Sequence, residues 1–343
     1  MEERLSLSAS PHIRDDVSIS RVMWTVNIAL LPPLIGSLWF FGLRALWLEA
    51  VSILAAVGTE ALLQKLMKRP LTIYDGSAVI TGILLALNLP PGVPLWVPAV
   101  GSAFAIGIGK QVFGGLGFNP LNPALLGRAF LTASWPVHMT TDWLPTRYGT
   151  MSGFDTVTKA TPLKVYQLAR DCLSSEQLVT PEQLSQAKAT LTHLSQTYKN
   201  LLSGNVGGSL GETSFLLLFV GAFLLFIKGY IGWRIPVSFI GTVALGAWIF
   251  GGTERLFTGD PLFHILAGGL ALGAFFMATD MVTSPVTPKG KLTFGVGCGV
   301  LTLLIRLVGG YPEGVSYSIL LMNLVVPLLD RYTKPRRLGE VRR

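Results

Sequence analysis

The chain has 343 residues, half of them hydrophobic and only 13% charged, with a mean hydropathy of +0.53. That balance excludes a soluble globular domain and describes a polytopic membrane protein. The net charge of +8 comes from Lys and Arg gathered between apolar segments, and no basic run is interleaved with aromatics in a way that would stack bases, so a nucleic-acid partner is excluded.

A polar tail, residues 1–21, precedes the first apolar segment and carries no cleavage signature. Segment one runs from Val22 to Leu43 and should kink at Pro32-Pro33. Segment two, Ala45 to Leu66, carries Glu49 and Glu60. Segment three, Asp75 to Leu89, is short, with Asp75 as its cap. Segment four runs from Leu95 to Phe113. An elbow rich in Gly, Asn and Pro follows and holds Asn119 and Asn122. Segment five, Ala124 to Ser134, is short again. Segments one to five form a first half, residues 22–134.

The polar insert of residues 135–212 is too long for a plain connection. Thr161-Pro162 reads as a helix start, with Thr as N-cap and Pro at the first helical position. Leu163, Tyr166 and Leu168 are expected on one face of that helix. A second helix should begin at Thr180-Pro181-Glu182-Gln183, expose a heptad-like stripe through Tyr198 and Leu201, and end at Gly204. Segments six to ten make the second half, residues 213–330: Ser214 to Ile231, Ile235 to Phe250, Leu262 to Ala278, Leu292 to Val308 and Val315 to Leu329. A basic tail, residues 331–343, closes the chain.

Counting ten spans from a cytoplasmic N-terminus puts Lys65, Lys68, Arg69, Lys110, Lys228, Arg234, Lys289, Lys291 and the basic tail on the inner side. The insert then lies outside. The run from Ile80 to Gly115 resembles the run from Leu266 to Gly310 at an offset of roughly 190 residues. Five spans per half is odd, so the second half would insert upside down. The expected fold is all-α, with ten transmembrane helices as two inverted repeats, several helices short and broken, and a helical insert outside the membrane.

Polar groups within the spans are candidates for function because lipid penalises them. Asp280 closes segment eight, and Arg128 and Arg306 should snorkel or pair with loop carbonyls. The amides of Asn119 and Asn122 offer both donors and acceptors to a planar heterocycle, or simply shape a turn. No P-loop, Rossmann fingerprint or hydrolase triad is present. Cys172 and Cys298 fall in unlike surroundings, which argues against a disulfide. Electron chemistry would need a bound cofactor.

Ser10-Pro11-His12-Ile13-Arg14, the elbow with Gly127-Arg128-Ala129-Phe130, Ala278-Thr279-Asp280 and Val326-Pro327-Leu328-Leu329-Asp330 together resemble the RnfD component of the Rnf complex, the ion-translocating ferredoxin:NAD oxidoreductase. The chain is more distantly similar to the corresponding membrane component of the sodium-pumping NADH:quinone reductase. The resemblance spans nearly the whole chain. The family's covalent flavin motif reads Asp-Gly-Val-Ser-Gly-Ala-Thr, and the matching residues are Asp155-Thr156-Val157-Thr158-Lys159-Ala160-Thr161. The resemblance implies FMN esterified at the Thr161 hydroxyl, with Thr158, Lys159 and Ala160 beside it. The sequence departs from the motif at Thr156, Thr158 and Lys159, and the lysine adds a cation near the phosphate.

The resemblance also implies a second, non-covalent flavin (riboflavin-like) on the cytoplasmic side, near Asn119, Asn122, Asp280 and Thr81. It further implies a bacterial inner-membrane complex with another flavin subunit and iron–sulfur subunits, matured by a flavin transferase, and coupled to Na⁺ or H⁺. The rival expectation is a solute channel of the urea-transporter type, with the same inverted plan and no redox role.

Overall fold

The computed structural model describes residues 17–144, 146, 161–174, 198–212, 214–252, 256–309 and 314–334, without the side chains of 171–174. Both chain termini, Thr158, Lys159, Ala160, the Cys172 side chain and most of the helix expected from Thr180 lie outside these residues. Every regular element among the described residues is helical. Three helical stretches, Ile19–Phe41, Leu43–Leu66 and Pro288–Val308, are long and apolar enough to cross a bilayer. The chain is a membrane protein.

The first stretch is broken where its prolines demand. Helix α1 (Ile19–Ala29) stops at Leu30, and α2 (Leu31–Phe41) restarts with Pro32 and Pro33 in its first turn, where a missing N–H costs nothing. Helix α3 (Leu43–Leu66) is continuous. Its Arg44 reaches back to the loop after α4 (Ser77–Leu87), donating to the carbonyls of Pro91 at 2.9 Å and of Gly92 and Val93 at 3.0 Å. Helix α4 packs on α3 so closely that a Cβ at Gly82 would come within 2.7 Å of the Ile53 Cα. A small residue is what permits that approach in a lipid-embedded bundle.

Helix α5 (Trp96–Ile106) runs into a π-helical turn, Gly107–Gln111, closed by Val112 N–H on the Gly107 carbonyl at 3.1 Å. After the elbow, α6 (Pro123–Ser134) begins on Asn122 as N-cap, and a short α7 (Pro136–Thr140) follows. In the insert, α8 (Pro162–Ser174) starts on Thr161 as expected, its Oγ1 accepting from Lys164 N–H at 3.3 Å. Leu163 and Tyr166 are buried, but Leu168 is half exposed, contrary to expectation. Five residues at 100° each place it about 140° from Leu163, and Ala169 takes the buried position instead. Helix α9 (Tyr198–Ser203) ends at Gly204, whose φ of +101° is the left-handed cap that glycine supplies.

The second half begins with α10 (Phe215–Ile227) and α11 (Arg234–Phe250). Segment eight is broken into α12 (Pro261–Leu266) and α13 (Leu270–Leu272), the latter continuing as a second π turn, Gly273–Met277. Gly268, at φ +72°, makes the break. Arg306 of α14 (Pro288–Val308) caps the broken end, donating to the carbonyls of His264 at 2.7 Å and Ala267 at 3.2 Å, as a cation at a helix C-terminus should. Segment nine thus starts a turn earlier than expected, with Thr287 as N-cap and Pro288 at the first position. Segment ten, α15 (Val315–Tyr332), is 18 residues long with Pro327 inside it and runs three residues past the expected Leu329. Helix α3 packs on α4 and α5 as α11 packs on α12 and α14, and α5 meets α6 as α14 meets α15. Cys298 is a free thiol buried in α14.

Candidate functional site

A cleft of about 830 Å³ opens between α1, α4, the elbow, the end of the second π turn and the end of α10. Thr81, Asn119, Asn122 and Asp280, chosen from the sequence, all line it. Its walls are otherwise mainly apolar, from Val22, Val26, Leu84 and Phe276 among others. Apolar walls with a few convergent polar groups suit an organic ligand.

The elbow geometry explains the asparagines. The Asn122 Oδ1 accepts from the N–H groups of Ala124 at 3.1 Å and Leu125 at 3.3 Å, and its Nδ2 donates to the Met277 carbonyl at 3.3 Å. The amide therefore starts α6 and ties it to the second π turn. Asn119 donates to the Leu121 carbonyl at 3.2 Å. Thr81 hydrogen-bonds within its own helix, to the Ser77 carbonyl at 3.1 Å. Asp280 folds the chain after the π turn, accepting from Thr283 Oγ1 at 3.0 Å and from Val282 N–H at 3.4 Å.

Lys110 overturns one expectation. Placed in a cationic inner loop by the charge pattern, it is in fact buried on the first π turn. Its Nζ lies 2.7 Å from Glu60 Oε1 and 2.6 Å from Ser77 Oγ. Glu60 Oε1 also accepts from Gln111 Nε2 at 2.9 Å and from Gln64 Nε2 at 3.2 Å. Ser77 in turn donates to Asp75 Oδ1 at 2.5 Å. The N-cap of α4 is Gly76 rather than Asp75 as expected; one residue earlier, Asp75 Oδ1 accepts from Ser77 N–H at 2.8 Å and anchors the same cluster. Lys110 and Ser77 also line the cleft, so a buried ion pair forms part of its wall. The signal was present: Glu60 sits within segment two and needs a partner, and segment four offers a lysine.

Thr161 is buried, and with Leu163, the glycines at 207, 208 and 268, and Glu212 it borders a second space of about 300 Å³. Tyr166, one turn along α8, donates to the Gly251 carbonyl at 2.6 Å and packs against His264. Burial raises its phenol above the usual value. The Tyr198 phenol is also pushed up, by burial and by its hydrogen bond to the Asp260 carboxylate.

The model of the NQR2, RnfD, RnfE family matches residues 6–339. The chain belongs to that family. It is 49% identical to the D-type component of the proton-translocating ferredoxin:NAD(+) oxidoreductase complex of Clostridium ljungdahlii, covering 97% of this chain and 96% of the relative. It is 48% identical to the D-type component of the Na(+)-translocating ferredoxin:NAD(+) oxidoreductase complex of Acetobacterium woodii, over 98% and 96% of the two chains. The D-type component of the ion-translocating oxidoreductase complex of Stutzerimonas stutzeri is 41% identical, over 94% and 92%. The span matched to the NQR2, RnfD, RnfE family includes Thr161, the elbow and the cleft.

Proposed function

We propose that this chain is the electron-relaying membrane component of an ion-translocating ferredoxin:NAD⁺ oxidoreductase complex. It carries FMN esterified to the Thr161 hydroxyl and a second, dissociable flavin in the cleft. The observation that carries the reading is the convergence of Thr81, Asn119, Asn122 and Asp280, far apart in sequence, on one largely apolar cleft. The cleft's apolar walls and few convergent polar groups suit a flat heterocycle. Thr161 stands at a helix N-terminus, where N–H groups and the dipole favour a phosphate. Bound flavins would supply the one-electron chemistry. Asn119 and Asn122 would hold the dissociable one by its polar edge, and the apolar walls would exclude water.

The ten-span inverted repeat and its orientation, with both termini and the cleft at the cytoplasmic face of the inner membrane and Thr161 outside, belong to the same proposal. Two contacts support the repeat. Asn88 meets Met277 and Arg128 meets Ser316, pairs separated by 189 and 188 residues. Both separations lie close to the offset of roughly 190 residues between the sequence copies, as expected for contacts beside an axis relating two halves. Partners would hold iron–sulfur centres and the ferredoxin and NAD sites, and a flavin transferase would attach the FMN. The ion driven is Na⁺ or H⁺.

The test is a denaturing gel of the protein co-expressed with a flavin transferase. Its band should fluoresce, and the Thr161→Ala band should be dark. A dark wild-type band would sink the covalent flavin and favour a channel without redox chemistry.

A further inference from the structure

Between the two spaces runs a series of contacts, polar except where it passes through the Met277 side chain, that the relay itself does not require. It starts at Glu212, which borders the Thr161 space. The loop before Glu212 is stitched to the end of α4, with Leu210 N–H on the Leu89 carbonyl at 3.1 Å and Gly211 N–H on the Leu87 carbonyl at 2.7 Å. This fixes Glu212 Oε1 at 3.5 Å from Arg128 Nη1, both side chains being largely buried. The same Nη1 donates to Asn88 Oδ1 at 2.7 Å and to Ser316 Oγ at 3.1 Å. Asn88 Nδ2 reaches Met277 Sδ at 3.6 Å, and the Met277 carbonyl accepts from Asn122 on the cleft wall.

We infer that Glu212 and Arg128 form an electrostatic bridge that makes the redox equilibrium of a flavin in the cleft depend on the state of the Thr161 site. This rests on the proposed function above. Arg128 cannot surrender its proton, so the bridge moves charge balance rather than protons. Its Nη1 is hydrogen-bonded to Asn88 and lies 3.5 Å from Glu212. An anion arriving beside Glu212 draws the guanidinium outward and weakens its hold on Asn88. Removing that anion lets the positive charge settle toward the cleft, where it favours a reduced, more negative ligand. Arg128 and Glu212 touch neither flavin in this scheme except through Glu212 at the outer space, so they are positioning residues.

The experiment is a double-mutant cycle on the full-length chain, purified in detergent after co-expression with a flavin transferase. The midpoint potential of the acid-extractable flavin is measured in wild type, Thr161→Ala, Glu212→Gln and the double variant. Thr161→Ala should raise it in the wild-type background by about fivefold or more in the reduction equilibrium, the usual scale of coupling between sites. In the Glu212→Gln background the same substitution should change it less than about twofold. A shift of equal size in both backgrounds, or none in either, overturns the bridge. If Glu212→Gln loses the dissociable flavin, Arg128→Lys, which keeps the charge but loses the forked geometry, takes its place in the cycle under the same criteria. A wild-type chain that yields no acid-extractable flavin would instead refute the proposed cleft ligand and take the bridge with it, an outcome distinct from a bound flavin that shows no coupling.

Discussion

Lys110→Met should destabilise the folded chain by about 3–5 kcal/mol, because it leaves the Glu60 carboxylate buried without its cation. The three amide and ammonium donors around Glu60 Oε1 are arranged for an anion, and the neighbouring Gln64 and Gln111 cannot replace a full charge. The loss should extend to the cleft, since Lys110 also braces Ser77 at the first turn of α4. The measurement is thermal unfolding in detergent, read as the fraction remaining monodisperse, together with the acid-extractable flavin. Replacing both charges, as Lys110→Met with Glu60→Leu, should return most of the stability, because an apolar pair of similar volume avoids the desolvation penalty. A single variant as stable as wild type would show that the pair has no part in holding α3, α4 and the π turn together.

Asn119→Ala and Asn122→Ala together should leave less than about a tenth of the dissociable flavin, the loss expected when roughly 1.4 kcal/mol or more of binding is removed. The single variants should separate by cause. Asn122 starts α6 and ties it to the second π turn, so its loss should cost about 1–2 kcal/mol of stability as well as ligand. Asn119 has a single short-range hydrogen bond within the elbow, so Asn119→Ala should lower flavin content while leaving the melting temperature within a few degrees. Undiminished flavin in the double variant would remove the elbow from the site.

Much of this was open to reading in the sequence, for physical reasons. Hydropathy located the helices, because lipid enforces runs of apolar residues and internal backbone pairing. Proline and glycine marked where α1 gives way to α2 and where segment eight breaks. Thr161 as N-cap followed from local chemistry alone. The four cleft residues were picked from a resemblance and as intramembrane polar groups, and the fold brings them together. Three features were hidden. Lys110 was read as one more inner-loop cation, since the charge pattern assigns sides but not depth. Leu168 invites grouping with Leu163 and Tyr166 on the buried face, although the helical angle forbids it. The union of Arg128 with Glu212 and Ser316 joins residues that only the tertiary arrangement brings together.

The two π turns carry a consequence for how length is conserved along these helices. Each closes with a bond from residue i to i+5, Val112 to Gly107 and Ala278 to Gly273, and so accommodates one residue more than an α-helical turn over the same span. Removing that residue would restore an ordinary ladder and rotate everything beyond it by about 100°. Lys110 would then swing off Glu60, and in the other half the stretch of chain leading to Asp280 would turn away from the cleft. In this bundle a one-residue deletion at either place would thus be more disruptive than many substitutions, since it changes the phase of a helix rather than the content of one position.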